Sequence, residues 1–313
     1  MTTRETQQAL DELHATIALL LPETYQASYE TLQPVSMGSA GLVYDDDGGV
    51  AWDRMWDSFC DLAMAGGPPH KGRLLEPATR QAIDADSDHY DEVTWQIRRG
   101  ITMATDMRAA NSAVPGWVEV DCYSDAMAAW LVRAIVMENV AATAAGRCLR
   151  LPAGPDFRLE KEIKNVVTVI AKTSHYWLGH ILPPQQSAIG QCLATLAETS
   201  PVVAPVWMPD GSDPAAGVTA DLVGRVRTVP GVGVASPRQA GWLGVACPDV
   251  ASAVWMTRAL VAMNVLARRE DTVLCVPVNI STDPQGERVA KTIARVHRLA
   301  AARGVLPTPI SGA

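Results

Sequence analysis

The sequence predicts a protein of the α/β or α+β class, with internally duplicated β-β-α-β-α halves related by a pseudo-twofold axis. Two observations lead to this prediction. The first is a repeat: Gly116–Pro152 and Gly241–Pro277 align without a gap at an offset of 125. The second is that each copy passes from a strand-like apolar run into a helix-like run and back again.

The repeat is too strong to arise by chance, because 15 of its 37 aligned positions are identical, where ordinary composition would produce about two or three. Numbered in the first copy, the identical residues are Gly116, Trp117, Val120, Cys122, Ala126, Ala128, Trp130, Arg133, Ala134, Val136, Asn139, Val140, Ala142, Leu149 and Pro152. Matched apolar positions must face equivalent cores, so we expect Trp130 and its counterpart Trp255 to be buried.

The N-terminal region, residues 1–95, is predicted to hold helices and a hairpin. Arg4–Leu21 carries apolar residues at helical spacing and is closed by Pro22. The turn Asp45–Gly49 separates two short strand-like runs and indicates a β-hairpin. A second helix is predicted over Asp53–Ala65.

That second helix leads into the loop GGPPHKGR, which ends at Arg73. Two prolines stiffen this loop and glycines bracket it, while His70, Lys71 and Arg73 place three cationic groups within four residues. A rigid cationic loop can hold a phosphate or a carboxylate. We therefore take His70 as a candidate acid or base and Lys71 and Arg73 as candidate anion ligands. The alternative is a helix C-cap that runs into a surface connection.

The two repeat units are predicted to span residues 96–181 and 220–313, with a helical, proline-rich linker over 182–219. In the first unit, strands are expected at Ile101–Asp106, Trp117–Cys122 and Arg147–Leu151, and helices after Ser124 and from about Glu160 to Trp177. The second unit should repeat this order, with strand Thr272–Val276 and a helix over Gly286–Ala302. Asn139 and Asn264 are expected to end helices in the left-handed conformation.

Strand–helix–strand order with short loops favours βαβ crossovers and a mixed sheet covered by helices. A ferredoxin-like pair of sheets is the competing architecture. In either case the two halves should pack together and leave a cleft between them.

Cys122 and Cys247 each follow a strand and precede a helix N-terminus. A helix N-terminus lowers the pKa of a thiol, and ligands of α/β proteins bind at the carboxyl ends of the strands. Asp121 and Asp125 flank only the first cysteine, so the first copy is the better candidate site. Cys122 is thus a second candidate catalytic residue, with Asp121 and Asp125 as substrate ligands. The alternative is that both cysteines are small core residues.

Lys172 and His175 come near the end of the predicted helix in the first unit, and we expect them to contribute to an anion site. His175 and His180 are five residues apart, which places them on different faces of a helix, so no metal site is expected. Arg133 and Arg258 recur within apolar helices, where an ion pair or a solvent-facing edge position is expected.

Composition narrows the classes of partner. The chain has 26 Lys and Arg against 34 Asp and Glu, a net charge of −8. Nucleic acid and membranes are therefore excluded as main partners, and Arg133 and Arg258 interrupt the longest apolar runs. The scattered cysteines suit a reducing cytoplasm.

The sequence names no cofactor and leaves three functions open. The first is binding or transformation of a small anionic metabolite in the cleft between the halves. The second is a non-catalytic partner in the assembly or maturation of another enzyme, and the third is a structural homo-oligomer subunit. Nine tryptophans could supply aromatic anchors for the second function.

Overall fold

The computed structural model describes residues 3–27, 29, 41–54, 73–212, 216–235 and 241–306. Within these ranges the chain is a mixed α/β structure with ten α-helices and two four-stranded sheets. The helices are α1 Thr3–Leu20, α2 Glu23–Gln26, α3 Arg80–Ala85, α4 Ser87–Thr105, α5 Asp125–Met137, α6 Lys164–Gly179, α7 Pro183–Thr199, α8 Ala216–Arg227, α9 Val250–Ala262 and α10 Glu287–Arg303. The strands are β1 Arg108–Asn111, β2 Trp117–Asp121, β3 Thr143–Ala145, β4 Cys148–Pro152, β5 Gly233–Ala235, β6 Trp242–Ala246, β7 Arg268–Glu270 and β8 Val273–Pro277. A π-helical turn, Leu159–Ile163, precedes α6.

The first sheet has the strand order β1-β2-β4-β3, and every neighbouring pair in it is antiparallel. In its central pair Trp117 lies opposite Pro152. Helix α5 connects β2 to β3, and β4 lies between these two strands in the sheet. This is a split β-α-β unit, in which an antiparallel strand is inserted between the two strands that the helix connects.

The second sheet, β5-β6-β8-β7, has the same order and the same antiparallel pairing. Trp242 lies opposite Pro277, as Trp117 lies opposite Pro152. Trp130 and Trp255 are both buried, as predicted. The left-handed conformation at the ends of α5 and α9 is also confirmed, with φ of 58° at Asn139 and 64° at Asn264.

The single mixed sheet was a wrong prediction, because the strands form two separate antiparallel sheets. Each half also has one more strand than predicted, β3 or β7, which pairs as a hairpin with the strand after it. Residues 101–105 of the predicted strand Ile101–Asp106 belong to α4 instead. Ile97 and Ile101 are buried one helical turn apart, and Gly100 allows Val167 of α6 to approach α4 closely.

Two helices outside the sheet units pack on the opposite half. Helix α1, which precedes the first unit, packs against α9 and α10 of the second. Helix α7, which precedes the second unit, packs against α5 of the first. One continuous apolar core therefore runs through both halves. Within the ranges described above, no helix is both long enough and apolar enough to cross a membrane.

A short extended segment precedes each unit and forms a β-bridge just after the repeated helix, which is α5 in the first unit and α9 in the second. Leu75 bridges Val140 and Val203 bridges Val265, both in parallel. The N–H of Leu75 donates to the Asn139 carbonyl at 2.9 Å, and the N–H of Val203 donates to the Asn264 carbonyl at 3.0 Å. These segments carry the chain past the C-terminal ends of α5 and α9.

Candidate functional site

The cationic loop of the N-terminal region lies mostly outside the described residues. His70 and Lys71 are both outside them, so their roles stay predictions. Arg73 is described and exposed. It stands two residues before Leu75, which bonds to Asn139, so the loop rejoins the described chain near the end of α5.

Lys172 is buried in an ion pair instead of facing a cleft. Its Nζ donates to Glu138 Oε1 at 2.9 Å, and both side chains are about 6% exposed. Glu138 is the C-terminal cap residue of α5, so the pair ties α6 to the end of α5. A lysine held in this way has a structural partner, and its predicted role in anion binding stays a prediction.

Cys122 and Cys247 are both buried. Burial raises the pKa of each thiol to about 12, which is opposite to the lowering that their position before a helix predicts. The main-chain groups around Cys122 are also occupied, since its N–H donates to the Arg147 carbonyl at 3.0 Å. Both thiols are thus protonated at neutral pH and shielded from solvent.

The two carboxylates beside Cys122 lie on the surface. Asp121 pairs with Arg147 across the β2–β4 end of the sheet, with an Nε–Oδ1 distance of 2.9 Å. Asp125 is exposed in the first turn of α5. Cys122 is thus buried while both carboxylates are partly or largely exposed, and a common site formed by these three side chains stays a prediction.

Arg133 and Arg258 are buried instead of lying at a solvent-facing edge, and each donates hydrogen bonds within the protein, although Arg133 Nε has no hydrogen-bond partner among the described residues. Arg133 donates to the Ala129 carbonyl at 2.6 Å and also to the side-chain oxygen of Asn264. Arg258 donates to the Tyr29 carbonyl. Burial lowers the pKa of each guanidinium to about 10.

Reciprocal contacts make the ends of α5 and α9 a polar junction between the halves. Arg133 of the first half bonds to Asn264 of the second. Asn139 donates in turn to the Arg269 carbonyl at 2.8 Å and accepts from Arg268 at 3.2 Å. Because these groups are buried, each hydrogen bond lost here would leave a costly unpaired polar atom.

The prediction that His175 and His180 lie on different faces was wrong. His180 follows the last residue of α6 and has non-helical dihedral angles, so the helical spacing rule does not reach it. The two Nε2 atoms are 3.1 Å apart, and the pair is exposed. Burial, and to a smaller extent His180, lowers the pKa of His175.

A small cavity does lie between the halves. Its volume is about 210 Å³, and its lining includes Trp117 of the first half and Gly241 of the second. Trp207 meets Trp117 edge to face, with ring centroids 6.0 Å apart. Among the described residues its lining contains Glu76 and no Lys, Arg or His, so its charge does not match an anion.

Sequence reasoning missed a second cavity, an open groove of about 560 Å³ beside α10. One wall is α10, and the others are the end of α7 and the C-terminal end of α9. Arg288, Lys291 and Arg295 of α10 line the groove. Their spacing of three and then four residues puts them on one helical face, and this was the signal available in the sequence.

Two acidic side chains in the groove already have partners. Asp283 accepts the backbone N–H groups of Arg288 and Val289 at 3.1 and 2.9 Å, and so caps α10. Glu287 pairs with Lys291 at 2.7 Å. Arg288 Nη2 is buried and has no hydrogen-bond partner among the described residues. Burial lowers the pKa of Arg288, and nearby Asp283 opposes this effect.

Comparison with known proteins adds no family to this description. No family model, curated protein or solved structure matches the chain. Within the described residues, no three His, Cys, Asp or Glu side chains come together in a group that could hold a metal ion.

Proposed function

We propose that the protein binds a small anionic metabolite, and that the α10 groove, lined by Arg288, Lys291 and Arg295, is its binding site. The observation that carries the proposal is the guanidinium of Arg288, whose buried Nη2 has no hydrogen-bond partner among the described residues. A buried donor without a partner costs free energy. A ligand oxygen that accepts from it would recover that cost.

The charges of the groove support an anion as this ligand. Asp283 is occupied by backbone N–H groups and Glu287 by Lys291. Arg288 and Arg295 are left as cations without an ion pair within the described part of the chain. The protein as a whole has a net charge of −8. The local field of these two arginines is nevertheless positive and favours an incoming anion.

The size and shape of the groove indicate a metabolite bearing carboxylate or phosphate groups. A volume of about 560 Å³ falls within the roughly 300–1,000 Å³ of small-molecule sites. Guanidinium groups bind carboxylate and phosphate in a bidentate manner. The described lining includes no Cys or His, so the groove offers no thiol and no imidazole, and the proposal is one of binding.

We also propose that two duplicated halves related by a pseudo-twofold axis form the scaffold of this site. The identical order and register of the two sheets support this. So does the exchange of helices, since α1 packs on the second half and α7 on the first. The groove then lies at one junction of this exchange, where α7 meets α9 and α10.

Anchoring of a partner protein through tryptophan has less support. Six of the eight tryptophans that the structure describes are buried, namely Trp52, Trp117, Trp130, Trp177, Trp242 and Trp255. Trp95 is exposed by 46%, and the guanidinium of Arg99 lies over its ring. A single exposed ring is a small apolar surface compared with a protein interface.

The test is calorimetric titration of the purified protein with inorganic phosphate and, separately, with citrate. These two probes distinguish a phosphate site from a carboxylate site. We expect Arg288→Gln and Arg295→Gln each to weaken binding of the preferred anion at least tenfold, because a charge-assisted hydrogen bond contributes about 1.5–3 kcal/mol.

Arg147→Gln is the matched control, since Arg147 is an exposed arginine on the first sheet, paired with Asp121. It should bind both anions as the wild type does. Equal affinity of the wild type and both groove variants would contradict the proposal. An equal loss of affinity in the Arg147 control would show a general effect of charge, and would also contradict it.

A further inference from the structure

The C-terminal end of α6 carries a pair of histidines that the anion site does not use. His175 is exposed on the last turn of α6, and His180 follows the helix. Gly179 precedes His180, and a Cβ at Gly179 would lie 3.8 Å from the His175 ring. The chain thus turns back at the helix end and brings the second imidazole over the first.

The two ring nitrogens lie close together. Their Nε2 atoms are 3.1 Å apart and their centroids 4.9 Å apart. A direct, head-on approach would put the centroids about 5.4 Å apart, since a ring nitrogen lies about 1.15 Å from its centroid. The shorter separation shows that the two rings do not approach each other head-on.

A symmetric arrangement with these two distances has a point at which both nitrogens can bind one ion. For a symmetric pair, the lines from each centroid through its Nε2 meet about 2 Å beyond the nitrogens, which is the length of a zinc–imidazole bond, ~2.0–2.1 Å. The nitrogen–ion–nitrogen angle at that point would be roughly 100°, between the octahedral and tetrahedral values.

We propose that His175 and His180 form a surface site for one divalent transition-metal ion such as Zn²⁺ or Cu²⁺. Neutral imidazole is a preferred ligand of both ions. Two protein nitrogens leave the remaining coordination positions to water or to an exogenous ligand. The ion replaces the hydrogen bond that joins the two rings, and each ring then keeps its proton on Nδ1.

Calorimetric titration of the purified protein with Zn²⁺ alone tests the site. We expect one ion per chain, and at least tenfold weaker binding in each of His175→Asn and His180→Asn. His89→Asn is the matched control, because His89 is an exposed histidine on α4 near Asp86. It should bind as the wild type does. No variant should change the unfolding midpoint in the absence of metal.

Electron paramagnetic resonance with Cu²⁺ adds a readout of the ligands themselves. The wild type should show hyperfine splitting from two nitrogens, and each His variant splitting from at most one. A wild type that does not bind Zn²⁺ overturns the proposal. So does an ion that both variants retain at wild-type affinity, since that ion binds elsewhere. Neither result bears on anion binding in the α10 groove.

Discussion

The ion pair between Lys172 and Glu138 gives a sharp test of how the end of α5 is held. The two charges are 2.9 Å apart and almost fully buried. At an effective dielectric constant of about 20 their attraction is about 6 kcal/mol, and the desolvation of two ions cancels much of it. Removing one partner leaves a buried charge, so we expect each single replacement to lower the free energy of unfolding by about 3–5 kcal/mol.

The two single variants should differ in a defined direction. Glu138 also lies close enough to Arg269 to influence its pKa. Lys172→Met therefore leaves Glu138 with one cation nearby, whereas Glu138→Met leaves Lys172 without its anion and removes one of the two carboxylates, Asp271 and Glu138, that act on Arg269. We expect Glu138→Met to be the more destabilising change. Methionine is also the residue that the second copy has at the aligned position, Met263.

The double variant, with methionine at both positions, should regain most of the loss and unfold within about 1 kcal/mol of the wild type, because a buried pair and an apolar replacement are often close in stability. Urea unfolding at pH 7, followed by circular dichroism, measures all four proteins and gives the coupling energy. Additive losses, or single losses below about 1 kcal/mol, would refute the buried pair. The double variant should also bind phosphate in the α10 groove as the wild type does.

Two further outcomes concern packing and thiol chemistry. Gly100→Ala would place a Cβ 2.6 Å from Val167 and should cost about 1–3 kcal/mol in urea unfolding. Gly224→Ala in α8 meets no atom within 4 Å and should stabilise by about 0.5–1 kcal/mol, so a loss there would contradict the description of α8. Iodoacetamide should leave Cys122 unlabelled in the native protein and label it after unfolding, as peptide mass spectrometry can check. Because burial raises its pKa to about 12, the unfolded thiol loses its proton first. Cys122 should then make stability fall as pH rises above about 9, by up to about 1.4 kcal/mol per pH unit, and Cys247, whose pKa is raised equally, should add a similar amount.

The part of the fold that could be read from the sequence is the part set by neighbouring residues. The repeated run of strand and helix, the burial of Trp130 and Trp255 and the left-handed Asn139 and Asn264 all follow from local spacing and local backbone preference. These features depend on interactions within about one helical turn or one strand, so the order of residues contains them.

The errors fall where distant segments decide the outcome. The sequence of strands and helices is compatible with a parallel crossover and with an inserted antiparallel strand, and only the pairing of β4 between β2 and β3 distinguishes them. The same holds for Ile101, whose helical state depends on the packing of α4 against α6.

The candidate sites show the same division. The cationic face of α10 is a sequence pattern, but only the packing of α7 and α9 beside it makes a groove. From the sequence, Lys172 is expected to be a free cation. In the fold it pairs with Glu138, which is 34 residues away in the chain. Helical spacing would place His180 on a different face from His175. Because α6 ends one residue before His180, that spacing does not apply. By itself, then, the sequence determined the repeat, its local elements and the residues that carry charge. Only the tertiary structure decided which charges are neutralised and which groups meet, because those contacts join segments far apart in the chain.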